Sequence, residues 1–132
     1  MNRTALSLTL FLLVCFAVGC ASGPRYQLKK LPSGKEIKML SLTTMTYSSG
    51  PPAVIFKYQT DLAIDDVAAL RAEANEIMGV LAVDAERANV TRAMVSASDE
   101  PKGMVFKQVK SYNFLFEKRP DGTWAPLSEP KT

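Results

Sequence analysis

The 132-residue chain contains no histidine, two cysteines and one tryptophan. Without histidine it lacks the commonest general base and the commonest metal ligand. Two cysteines cannot build a zinc site of the cysteine–histidine kind. No phosphate-binding loop, dinucleotide glycine pattern or calcium loop occurs, and no internal repeat is visible. A strong charge of one sign is also missing. The formal net charge is +3, too small to argue for nucleic acid or a strongly anionic partner. These absences lead us to expect a non-catalytic protein with no cofactor, no metal and no nucleic-acid partner.

What the chain does have is a distinctive start. Arg3 is the lone cation before an apolar run from Leu10 to Val18, and Ala17-Val18-Gly19 then lead into Cys20. A basic start, an apolar stretch of about 7–15 residues and small residues at a cleavage point make a secretory signal. A spanning helix needs about 20 apolar residues; here Ser7 and Thr9 interrupt early, and Gly19, Ser22, Gly23 and Pro24 follow the run. Leu13 and Val14 precede Cys15 with no small residue at the join, so Cys15 reads as an apolar filler of the signal.

Residues 1–20 resemble the signal peptide and lipobox of a bacterial lipoprotein. The resemblance implies cleavage between Gly19 and Cys20, diacylglycerol on the Cys20 sulfur, and an acyl chain such as palmitate on the new N-terminus. Ala21 is not the aspartate associated with inner-membrane retention. In a Gram-negative host the resemblance therefore implies an outer-membrane anchor facing the periplasm. A single acyl chain holds a protein marginally, whereas several anchor it stably. The membrane partner would be reached through acylated Cys20, and no intrachain disulfide could form after cleavage.

Four segments are expected: a signal peptide over 1–19, an acylated cysteine with a flexible tether over 20–36, one domain over 37–127, and a tail over 128–132. Ser22-Gly23-Pro24 and Pro32-Ser33-Gly34 are the breaker clusters of the tether. Its Arg25, Lys29, Lys30 and Lys35 read as solubilising charges or as attraction to anionic headgroups.

Within the domain, residues 36–47 are β-branched and apolar, Ser48-Ser49-Gly50-Pro51-Pro52 is a turn, and Val54, Ile55, Phe56 and Tyr58 mark a second strand, together a β-hairpin. Val67, Leu70, Ala74, Ile77, Met78, Leu81, Ala85 and Ala88 recur at helical spacing. Asp65 is the expected N-cap, with Asp66 adding charge at the start, and Asn89 is the expected left-handed terminator. Gly79 inside the helix suggests a close contact or a bend. A strand is expected over 90–97, then a turn over 98–103. A long strand over 104–117 follows, with Met104, Phe106, Tyr112, Phe114 and Phe116 on its buried face. Pro120-Asp121-Gly122 turns the chain into a possible short strand at Trp124. The expected fold is α+β: a small antiparallel sheet in the order β-β-α-β-β with one long amphipathic helix on one face.

The candidate chemistry is thin. Asp61, Asp65 and Asp66 read as helix capping with solvated neighbours, and Glu73 and Glu76 as surface partners of Arg71. Tyr112, Phe114 and Phe116 read as core. Trp124, near the sheet margin, is either a lid over the core edge or a partner contact. The expectation is a lipid-anchored envelope protein that binds or scaffolds another envelope protein, with a carrier of a small apolar ligand between helix and sheet as the alternative. An intact mass from membranes is expected to match residues 20–132 plus acyl chains. Cys20→Ala should abolish that species, and an unmodified cleaved chain would reject the anchor.

Overall fold

The structure, a computed structural model, describes residues 25–127. The cleavage residues Gly19 and Cys20, the rest of the signal region and the tail 128–132 lie outside the described residues. The elements run β1 (Gln27–Lys30), β2 (Glu36–Met45), β3 (Ala53–Gln59), α1 (Val67–Arg87), β4 (Arg92–Ser98), β5 (Ser111–Lys118) and β6 (Trp124–Pro126). One six-stranded sheet contains every strand in sequence order, and the helix covers one face.

The α+β layering agrees with the sequence reading, but the sheet is larger and not wholly antiparallel. Residues 27–36, read as part of a flexible tether, instead form β1 and the turn into β2. Gln27 pairs with Met39 and Lys30 with Glu36, and Leu31 is buried at the turn. The breakers Pro32-Ser33-Gly34 make a hairpin turn closed by Leu31 and Lys35 rather than a linker. All pairs are antiparallel except β3–β4, which are parallel from Ala53↔Arg92 to Gln59↔Ser98. Parallel neighbours cannot be joined by a tight turn, so α1 serves as the crossover.

The helix is 21 residues long, about 32 Å at 1.5 Å per residue. Its N-cap is Asp66, one residue later than expected, whose carboxylate accepts from the Ala69 amide at 3.1 Å. Asn89 closes the far end at φ 53°. The Val90 amide donates to the Ala85 carbonyl and the Asn89 amide to that of Glu86, the paired bonds of a Schellman stop. Leu70, Ala74, Ile77, Met78, Leu81 and Ala85 face the sheet and are buried. They meet Val54, Phe56 and Tyr58 of β3, Ala93, Val95 and Ala97 of β4, and Phe114 and Phe116 of β5. Each large aliphatic or aromatic side chain enclosed this way contributes roughly 1.5–3 kcal/mol.

Two local features explain where alternation misleads. In β2 a bulge between Met39 and Ser41 makes Leu40 an extra residue. Ile37 and Met39 face the helix before it; after it the parity inverts and Leu42 pairs beside Phe56. The expected strand 104–117 begins only at Ser111. Met104 and Phe106, placed on its buried face by parity, are fully exposed. They lie beyond the end of β4, where neither strand nor helix continues to cover them.

Gly79 does not make the close contact that was one of its two expected roles: a Cβ built there meets nothing within 4 Å. Gly79→Ala should therefore stabilise the protein by about 1 kcal/mol. Urea unfolding checks this; a lower midpoint would mean that the helix needs glycine there.

Candidate functional site

Three places in the fold depart from plain core and solvated surface. The first is a buried carboxylate. Helical spacing puts Glu73 three residues after Leu70 and four before Ile77, on the apolar stripe rather than beside it. Its side chain is only 4% exposed. A lone carboxylate in such a setting is costly, so it must be paired and hydrogen-bonded. Lys35, from the β1–β2 turn, makes an ion pair with Glu73 Oε2, and the Thr60 hydroxyl donates to Glu73 Oε1 at 2.8 Å. The same hydroxyl accepts from the Leu62 amide at 3.1 Å, which fixes its orientation. Nearby, the Ser33 amide donates to Glu76 Oε1 at 2.6 Å. The two glutamates therefore hold the β1–β2 turn against the helix, and Glu73 is buried rather than on the surface. The Arg71 guanidinium lies 5.5 Å from the Phe114 ring centre.

Tyr58 completes this end of the core. It is wholly buried beside the Glu73 carboxylate, and its hydroxyl makes no well-formed hydrogen bond among the described residues. Burial first, and the neighbouring Glu73 carboxylate second, push the phenol far above its ordinary pKa. A depression of about 290 Å³ opens above the cluster, lined in part by Lys35, Gln59, Thr60, Asp61 and Glu73. The inventory of partners is already filled by Lys35 and Thr60, and the arrangement reads as a structural clasp.

The second place is the Trp124 groove. Trp124, on β6 beside Lys118, is half-buried against the core margin. Its indole Nε1 is buried without a hydrogen-bond partner. With Met78, Gly79, Ala82, Phe116 and Pro126 it lines an open groove of about 580 Å³ between helix and sheet margin. By contrast, the space enclosed by Leu31, Ile37, Phe56, Ile77 and Leu81 is about 10 Å³, room for one water. The lid reading of Trp124 and its reading as a contact meet in this groove.

The third place is the Asp99–Lys110 connection. The Asp99 amide donates to the Lys110 carbonyl at 3.0 Å, and the Lys110 amide to Asp99 Oδ1 at 2.8 Å. Lys102 and Gln108 exchange both backbone bonds, at 3.2 and 2.9 Å. Gly103 turns at φ 124°, and a Cβ there would collide with the Phe106 carbonyl oxygen. The result is a small built finger with Met104, Val105 and Phe106 at its tip. Gly103 ends the turn expected over 98–103; only the residues after it, 104–110, are placed in a strand by parity.

The carboxylates Asp61, Asp65 and Asp66 do not converge. Among the described residues no three His, Cys, Asp or Glu side chains come together as a metal site, and no helix is long and apolar enough to cross a membrane. Tyr112 and Phe114 rings lie 4.9 Å apart, with Phe114 and Phe116 in the core as expected. Cys20 and Gly19 lie outside the described residues. No family model, no curated protein and no solved structure matches the chain.

The clasp has measurable consequences. Lys35→Met leaves the Glu73 carboxylate buried without its cation; because Lys35 is itself 38% exposed, the expected loss is about 2 kcal/mol rather than the full cost of a deeply buried pair. The double variant Lys35→Met/Glu73→Met should lose less than Lys35→Met alone in urea unfolding. The pH profile should carry two limbs. Hydrogen bonding from Ser33, hydroxyl before backbone amide, holds the Glu76 carboxyl below its ordinary 4.5. A carboxyl lowered in the folded state contributes stability above the unfolded value, and this is lost as pH falls through the folded one. Tyr58 runs the other way: a phenol raised above 10.0 contributes stability below that pH and loses it as pH rises beyond. Glu76→Gln should flatten part of the acid limb, and Tyr58→Phe the alkaline limb, in melting temperature against pH.

Proposed function

We propose that the protein is a lipid-anchored cell-envelope protein, acylated on Cys20, that works as a non-catalytic binding or scaffolding module for another envelope protein. In a Gram-negative host it sits on the outer membrane and faces the periplasm. The resemblance of residues 1–20 to a lipoprotein signal supports the anchor. From Cys20 to Arg25, the first described residue, the chain spans five residues, about 17 Å when extended. Such a leash would keep the domain close to the lipid surface.

The observation that carries the binding reading is the outer edge of β2. β1 pairs with it only as far as Met39; from Leu40 to Met45 no strand among the described residues takes up that edge. This stretch has no charge and no proline, although edges are ordinarily protected by one or the other. Leu40, Leu42, Met45 and Tyr47 are exposed along it, with Tyr26 nearby. An extended segment of a partner could add there as a further strand, with backbone bonds supplying affinity and these side chains selectivity. The small-ligand alternative rests on the open groove beside Trp124, since the enclosed space elsewhere at the helix–sheet contact holds only one water.

A photo-reactive residue at Thr43, introduced in the native host, is expected to capture a reproducible envelope protein. Leu42→Lys/Thr44→Lys should abolish the adduct without lowering stability. Absence of any adduct, together with a co-purifying small molecule in native mass spectrometry that Trp124→Ala releases, would replace the scaffold by the carrier.

A further inference from the structure

The finger from Asp99 to Lys110 holds the most exposed apolar side chains of the described residues: Met104 at 104%, Val105 at 84% and Phe106 at 83%. Val109 below them is also exposed. This display is imposed by the backbone, through the Asp99–Lys110 and Lys102–Gln108 bonds and the glycine-only turn at Gly103. Lys102, Lys107 and Lys110 surround the tip, while the finger's two acids, Asp99 and Glu100, lie at its base, where Asp99 Oδ1 accepts from the Lys110 amide. None of the three lysines takes part in an ion pair among the described residues.

We infer that this finger is a membrane-contacting element: Met104, Val105 and Phe106 enter the headgroup–acyl boundary of an anionic bilayer while Lys102, Lys107 and Lys110 bind its phosphates. An apolar wedge rimmed by lysine fits that boundary on both counts. The tip leaves water, and the long lysine stems lie along it with their ammonium groups at headgroup level. Anionic lipid attracts each such cation independently. A protein pocket fits less well: phenylalanine and methionine are favoured at protein interfaces, but lysine is depleted there, and here three lysines share the surface with the tip. The finger joins β4 to β5, whereas the chain enters the sheet at β1, an edge strand three places from β4. The contact is made by residues 102–110 and does not require acylation of Cys20.

The test uses the unacylated chain of residues 20–132 with Cys20→Ser, which keeps every strand and the helix of the described residues. It is mixed with vesicles of phosphatidylglycerol and phosphatidylcholine, or of phosphatidylcholine alone, and sedimented. Binding is expected to the anionic vesicles and to weaken with added salt. Met104→Ser/Phe106→Ser should reduce it by about tenfold or more, the order expected from withdrawing one or two buried apolar side chains. Lys102→Gln/Lys107→Gln/Lys110→Gln should remove the preference for anionic lipid. Val83→Asp, at an exposed apolar position on the outer surface of the helix, should leave binding unchanged. Melting temperatures of all variants should match the parent, since every altered side chain is in solvent. A tryptophan at Phe106→Trp should shift its emission to the blue on anionic vesicles. The inference is overturned if the parent fails to sediment with anionic vesicles, if the tip variant binds as well as the parent, or if the tip tryptophan shows no shift. None of these outcomes bears on Cys20, whose acylation is read separately by mass.

Discussion

The parallel pairing of β3 with β4 is the constraint from which most of this structure follows. Two parallel strands need a connection that carries the chain back along the whole sheet. Here α1 does so, between Thr60 at one end and Val90 at the other. That return lays one helical stripe across β3, β4 and β5 and makes a single core from Leu70, Ile77, Leu81, Val54, Phe56, Val95 and Phe114. Among the described residues, the opposite face of the sheet receives no helix. It carries a short apolar row, Ile55, Met94 and Leu115, between polar rows such as Lys57, Ser96 and Asn113.

The crossover also explains the buried polar clasp. Where the chain leaves β3 and enters α1, backbone direction changes within a few residues, and the β1–β2 turn arrives at the same end. Glu73, Thr60 and Lys35 tie these three segments together. A buried ion pair is weak evidence for net stability, because desolvation offsets much of the attraction. Its effect here is one of placement: with Ser33 bound to Glu76, it fixes the angle at which the β1–β2 hairpin meets the helix. The orphaned Tyr58 hydroxyl beside it is a local cost that the surrounding apolar packing tolerates.

The surfaces we propose for recognition are the places where the two layers run out. The helix is centred over the middle strands, so the far half of β2 has neither an outer strand nor a helix above it. The finger projects past the end of β4, and the Trp124 groove opens where the last short strand leaves the helix uncovered. The lipid anchor we propose would add a fourth contact on the chain before β1. A small domain held in the way we propose would meet a bilayer and a protein strand at once. Linking contacts in one molecule raises the effective concentration of each for its partner.

Much of this was legible in local sequence, for identifiable reasons. The period of Val67 to Ala88 and the acidic and asparagine ends gave the helix almost to the residue, because capping and amphipathicity are local. The β2–β3 hairpin, the strand after the helix, and the core role of Phe114 and Phe116 were readable from turns and alternation. Glu73 was legible too, had its stripe position outweighed its charge. Other features could not be read in one dimension. Strand order and the parallel β3–β4 pair depend on long-range packing. So does β1, whose residues Gln27 to Lys30 have little strand character until β2 supplies partners. The bulge at Leu40 inverts parity, and no local residue announces it. Met104 and Phe106 alternate like core residues and stand in water, because alternation records which side a residue faces, and only the tertiary structure decides whether anything lies on that side to cover it.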